Sequence, residues 1–192
     1  MRCTLQRCLY SLVALVAATT AFAATPDNRD IDVQIRRQDE AIVVDVSMRV
    51  AASPEQAWSV LTDYDHMAEY VSDLAESHVL RRDADRLEVE QKSLARFGLI
   101  EIRLENVREI VLTPPLEIRS KLIRGDMKTS SFTTHVVAEG DSTRVINHGS
   151  FVPDRWIPPL IGIAVLESET RKQFGELRAE ILRRAARGTS PP

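Results

Sequence analysis

The chain has 192 residues, 44% of them hydrophobic and 5% aromatic, with a formal net charge of −3. That size suits one ordinary domain with a core that needs no staples. Scattered Lys and Arg on an acidic chain exclude the basic face that phosphate contacts require, so no nucleic acid is expected as a partner.

The first segment reads as a secretory signal. Arg2 and Arg7 give a positive start, Leu9 to Ala18 are apolar, and Ala21-Phe22-Ala23 is a small-x-small cleavage site. A membrane span needs about 20 apolar residues, and this run is shorter. Cleavage near Ala23 predicts a periplasmic or secreted protein. Both cysteines, Cys3 and Cys8, fall inside the signal. The mature chain is therefore expected to lack disulfides, thiolate metal sites and a Cys nucleophile. The sequence divides into a signal (1–23), a polar leader (24–30), one domain (31–186) and a flexible tail (187–192).

Ile31, Val33 and Ile35 alternate with polar residues and predict a strand. Asp39-Glu40 marks a turn, and 41–50 predicts the second arm of a hairpin. Ser53-Pro54-Glu55 is a helix start with a capping hydroxyl, proline at the first position and an acid in the first turn. That helix ends near Tyr64, and a second short helix follows at about 65–71. Six strands are then predicted near 75–82, 86–96, 99–112, 115–124, 128–138 and 143–152. Short polar or Gly/Pro turns separate them, among them Phe97-Gly98 and Gly140-Asp141. Such connections make antiparallel neighbours. Pro158-Pro159 opens a long helix at 160–184. Ile163, Leu166, Thr170, Phe174, Leu177 and Ile181 form its apolar stripe, while Glu167, Glu169 and other charged residues cover the rest.

This order predicts an α+β fold of the helix-grip kind. A curved antiparallel sheet wraps around a long C-terminal helix, with two short helices after the early strands. A curved sheet gripping one helix leaves a gap unless large side chains fill it. Strand alternation suggests what lines that gap. Val89, Gln91 and Ser93 share the charge-poor face of their strand. So do Leu116, Ile118 and Ser120, then Phe132 and Thr134, and finally Val145, Asn147, Gly149 and Phe151. With Trp156 and the helix residues Leu166, Thr170 and Phe174, these are the candidate ligand-binding residues. Gln91, Ser93, Ser120, Thr134 and Asn147 are small or neutral polar groups, which suits a wet or ligand-filled cavity. They also suit a core in which polar groups pair with each other.

Several segments carry a resemblance. Val43 to Ala75 reads strand, then Ser-Pro-x-x-x-Trp-x-Val-Leu-Thr-Asp-Tyr, then the short helix. Val89-Glu90-Gln91-Lys92, Gly125-Asp126-Met127, Thr143-Arg144-Val145 and Pro153 to Pro159 follow. Together they resemble the polyketide cyclase/dehydrase group of the START-like helix-grip (SRPBCC) superfamily, whose relatives include coenzyme-Q-binding START proteins. The resemblance covers about 31–184. It implies a hydrophobic cavity and the binding or transfer of an apolar molecule such as a lipid, quinone, polyketide or sterol. It implies catalysis only for some members, and it carries fold over better than function.

No catalytic constellation, cofactor motif or metal site is expected. His66, His78, His135 and His148 share no ligand spacing, and His135 and His148 fall on outer faces. Asp63, Asp65, His66 and Glu69 cluster as loop-capping groups. The strand faces assigned inward hold no Asp, Glu, Lys or His, which favours a binder over an enzyme. The apolar run Trp156 to Ile163 packs the helix entrance, or else forms a cavity mouth touching a membrane surface or partner. The readings left open are a carrier of a hydrophobic small molecule or lipid, a cyclase/dehydrase-type enzyme, and a ligand-free interaction module.

Overall fold

The computed structural model describes residues 30–97, 100–154 and 159–188. The signal, most of the leader, Gly98 of one expected turn, Trp156 and the end of the tail lie outside these residues.

The early hairpin is β1 (Ile31–Gln38) and β2 (Ala41–Val50). Helix α1 (Pro54–Leu61) starts where its sequence signals it. Ser53 and Gln56 form a reciprocal capping box, which satisfies amides that the first turn would leave without partners. The second short helix is a 3-10 turn, Tyr64–Glu69. Six strands follow: β3 (Leu74–Asp83), β4 (Arg86–Phe97), β5 (Ile100–Thr113), β6 (Glu117–Gly125), β7 (Met127–Glu139) and β8 (Ser142–Pro153). The last element is α2 (Pro159–Ala186).

All eight strands form one antiparallel sheet in the order β1-β2-β8-β7-β6-β5-β4-β3. Consecutive strands pair except β2 and β3, and β8 pairs back onto β2. The chain leaves β2 through α1 and the 3-10 turn and re-enters the sheet at the far edge as β3. Gly140, at φ +60°, takes the left-handed position in the β7–β8 turn that a Cβ would disfavour.

The register aligns inward residues in rows across the sheet. One row runs Val44, Gly149, Phe132, Ser120, Ile110 and Leu87. A parallel row runs Val46, Asn147, Thr134 and Ile118. Val44, Val46, Ile110, Ile118 and Leu87 are buried in the main core.

Helix α2 does not lie evenly over the sheet. It packs most on β1, then on α1 and β2. Phe174, Leu177 and Ile181, in its second half, belong to the core, with Ile181 fully buried. Each such side chain contributes about 1.5–3 kcal/mol by leaving water. Polar ties hold both flanks of the helix. On one side Glu176 accepts from the Ser72 hydroxyl at 2.6 Å, Lys172 Nζ donates to Asp73 at 2.9 Å, and Arg184 donates to Asp63 at 2.8 Å. On the other, Arg171 donates to the Ile31 carbonyl at 2.6 Å and Arg178 to Asp30 at 2.6 Å. The helix is thereby clamped between β1 and the segment leading into β3.

Leu116 departs from its inward expectation. It sits in the turn before β6 and is 58% exposed, because the strand begins only at Glu117. No helix among the described residues is long and apolar enough to cross a membrane.

Candidate functional site

Between the concave sheet and the middle of α2 lies a cavity of about 390 Å³. Its walls come from the 3-10 turn, from β4 to β8, and from Val165 to Leu177 on the helix. The gap remains because α2 packs chiefly on β1, α1 and β2, at one end of the sheet.

Eleven of the fourteen expected residues line it. They are Gln91, Ser93, Ile118, Ser120, Phe132, Thr134, Asn147, Phe151, Leu166, Thr170 and Phe174. Val89 and Val145 face inward but lie in the packed core, 1% and 0% exposed, and do not reach the cavity. Val145 sits in register with the core residue Met48, and Val89 with the partly buried Val79 on one side and Arg108 on the other. Trp156 lies outside the described residues.

Part of the polar lining is internally satisfied. Asn147 Nδ2 donates to Thr134 Oγ1 at 2.8 Å across the β7–β8 pair. Gln91 Nε2 donates to Ser77 Oγ at 3.3 Å and makes a longer contact with Met67 Sδ at 3.7 Å. These pairs remove the desolvation cost that isolated amides would carry.

The β5 wall is different. Arg108 lines the cavity, and its guanidinium carbon stands 5.9 Å from the Phe132 ring centre, within cation–π range. Its Nε is buried and has no hydrogen-bond partner among the described residues. Asn106, two residues away on the same face, is 5% exposed, and its Oδ1 is also buried without a partner. Tyr64 closes the same region. Burial raises its pKa above the usual phenol value, and the Arg108 charge only partly opposes that. Burial also lowers the Arg108 pKa, with Tyr64 opposing. A guanidinium still keeps its proton at any physiological pH.

Arg108 and Asn106 are absent from the residues expected from sequence. Their strand holds the clue. Leu104, Asn106, Arg108, Ile110 and Leu112 carry one charge, whereas Arg103, Glu105, Val107, Glu109 and Val111 carry three. The charge-poor parity points Arg108 inward.

Two carboxylates also reach the cavity, Asp73 and Glu169. This corrects the assignment of Glu169 to the solvent-covered side of the helix. Burial raises the Glu169 pKa, and Asp73 raises it further through hydrogen bonding and repulsion, while Lys172 opposes them. Lys172 bridges the pair, at 2.9 Å from Asp73 and 3.7 Å from Glu169. Among the described residues no His/Cys/Asp/Glu group could hold a metal ion. His135 and His148 lie on the outer face, beside Glu117 and Asp45, with side chains 49% and 61% exposed.

A sheet closed by one long helix over an apolar, partly polar cavity invites comparison with known proteins. Residues 41–182 match the family described as polyketide cyclase/dehydrase and lipid transport. The chain belongs to this family. No curated protein matches its sequence. Solved START-like structures share the fold at low identity. A STAR-related lipid transfer protein from Xanthomonas axonopodis aligns with a TM-score of 0.68 at 13% identity, covering 80% of this chain and 94% of that one. The Zhui aromatase/cyclase from a Streptomyces species aligns at 0.63 and 15%, covering 75% and 95%. A Thermus thermophilus protein aligns at 0.63 and 17%, covering 73% and 97%. At these identities the family members share the helix-grip architecture, and the similarity carries no more than that.

Proposed function

We propose that this protein is an exported binding or carrier protein for a hydrophobic small molecule or lipid held between the sheet and α2. The observation that carries the reading is the 390 Å³ cavity, walled by Phe132, Phe151, Leu166 and Phe174. That volume lies within the range of small-molecule sites, about 300–1,000 Å³, and above what a packed interaction module would leave. The family description includes lipid transport. The signal-like first 23 residues support export to the periplasm or beyond.

Native mass spectrometry of the mature protein, purified from its own compartment and followed by organic extraction, tests the reading. A stoichiometric apolar adduct is expected, and Ser120→Trp, which puts an indole into the cavity, should remove it. A folded protein that carries no adduct and takes up no apolar probe would end the carrier reading. Intact mass of the exported protein checks the start at Ala24.

One observation favours a second reading, a cyclase/dehydrase-type enzyme. Glu169, its pKa raised by burial and by Asp73, faces the cavity as a carboxyl able to hold a proton nearer neutrality than usual. Conversion of an aromatic-forming polyketone with loss of water, abolished in Glu169→Gln with binding retained, would establish this reading over the first.

A further inference from the structure

From the β5 wall of the cavity we infer that the ligand is an amphiphile carrying one anionic oxygen group, a carboxylate, enolate or phenolate, which Arg108 receives while the apolar body fills the rest. This deepens the binding reading above and rests on it.

Arg108 lines the cavity with a buried Nε that has no partner among the described residues, and its one cation–π neighbour is Phe132. The lining carboxylates are committed elsewhere. Asp73 is engaged by Lys172 at 2.9 Å and 3.0 Å, and Lys172 also stands 3.7 Å from Glu169. Two amides on other walls are paired, Asn147 with Thr134 and Gln91 with Ser77. Of the cavity-lining side chains, Arg108 and Asn106 on β5 are the ones with buried polar atoms that have no partner among the described residues.

The energetics select the ligand class. Water can solvate the guanidinium while the cavity is empty. A wholly apolar ligand would strip that water and leave a buried charge uncompensated, a cost of several kcal/mol. An anionic oxygen replaces the water with a charge-assisted hydrogen bond, which the forked guanidinium can make in bidentate form. The aliphatic and aromatic walls opposite suit the remainder of such a molecule. Two sources share this chemistry, a fatty acyl chain and a fused aromatic acid.

The test is isothermal titration of the mature protein near neutral pH with four probes: dodecanoic acid, methyl dodecanoate, naphthoic acid and methyl naphthoate. At least one acid is expected to bind about tenfold or more tighter than its own ester, the lower end for a hydrogen bond to a charged group. The skeleton that shows the difference tells acyl chain from aromatic ring. Arg108→Met should erase the preference while leaving ester affinity unchanged, and Arg108→Lys should keep part of it. Thermal unfolding of Arg108→Met should show a melting temperature at or above that of the parent, since a buried charge has been removed. Equal binding of acid and ester by the parent, or an acid preference surviving in Arg108→Met, would overturn the inference and leave apolar binding intact. Failure of all four probes to bind the parent would instead overturn the binding reading itself, and this inference with it.

Discussion

Asp63 and Arg184, 121 positions apart in the chain, meet at 2.8 Å and fasten the C-terminal turn of α2 to the end of α1. The contact is one side of a cluster. Arg184 also donates to Glu180 at 2.7 Å and lies 5.4 Å from the Tyr70 ring centre, while His66 Nδ1 sits 2.7 Å from Asp63. The cavity needs α2 held in place, so this clamp connects folding stability to the site.

Asp63→Asn should lower stability by about 1–3 kcal/mol, because Arg184 loses a charged acceptor in a largely buried setting. The pH profile carries its own signature. Burial pushes the Asp63 pKa up, but hydrogen bonds from His66 and Arg184 outweigh it and leave the carboxyl below its usual range. Hydrogen bonding to Arg183 leads in lowering Glu180. A carboxylate with a depressed folded pKa contributes stability that is present above the unfolded value, near 4, and is lost as pH falls through the folded value. Stability should therefore drop below about pH 4, less steeply in Asp63→Asn. Urea unfolding at several pH values measures both effects.

Gly149 is a packing requirement. A Cβ there would meet the Ser131 carbonyl oxygen at 2.3 Å and Phe132 Cδ1 at 2.4 Å. Gly149→Ala should destabilise by about 1–3 kcal/mol as an overpacked site and push Phe132 off its place under Arg108. Both thermal stability and ligand affinity should fall together. A stable variant with parental affinity would show that Phe132 moves aside at no cost.

Thr143 is fully buried, and its hydroxyl donates to the Ala52 carbonyl at 2.7 Å. Thr143→Val keeps the shape and removes the donor. Denaturant unfolding should report a loss of about 1–3 kcal/mol from the orphaned carbonyl, with ligand binding unaffected because Thr143 does not line the cavity.

Ser53→Ala removes the side chain that accepts from the Gln56 amide at 3.3 Å. The expected loss is about 1 kcal/mol. For a domain of this size that is a fall of about 2–4 °C in Tm. Ser53→Asp should recover most of it, since aspartate caps a helix as well as serine does.

Much of this was written in short-range pattern. The capping box at Ser53, the alternation along β4, β7 and β8, and the stripe ending at Ile181 depend on residues two to four positions apart, so periodicity exposes them directly. The same patterns bring Gln91, Ser120, Thr134 and Asn147 to one concave face. Leu116 fails because alternation does not say where a turn stops and a strand starts.

What the sequence determined alone is the order of elements, the inward face of most strands and the family. Only the tertiary structure decided where the gap falls and what it demands. Val89 and Val145 share the inward parity of cavity residues yet are packed solid, Val145 beside Met48 at the end of the sheet that α2 covers and Val89 beside β3, on which the 3-10 turn packs. Glu169 turns from solvent to cavity, since the clamps to β1 and to the Asp63–Asp73 segment fix how the helix rolls. The solitude of Arg108 is also a tertiary fact. Alternation can turn an arginine inward, but only the assembled walls show that no acid among the described residues arrives to meet it.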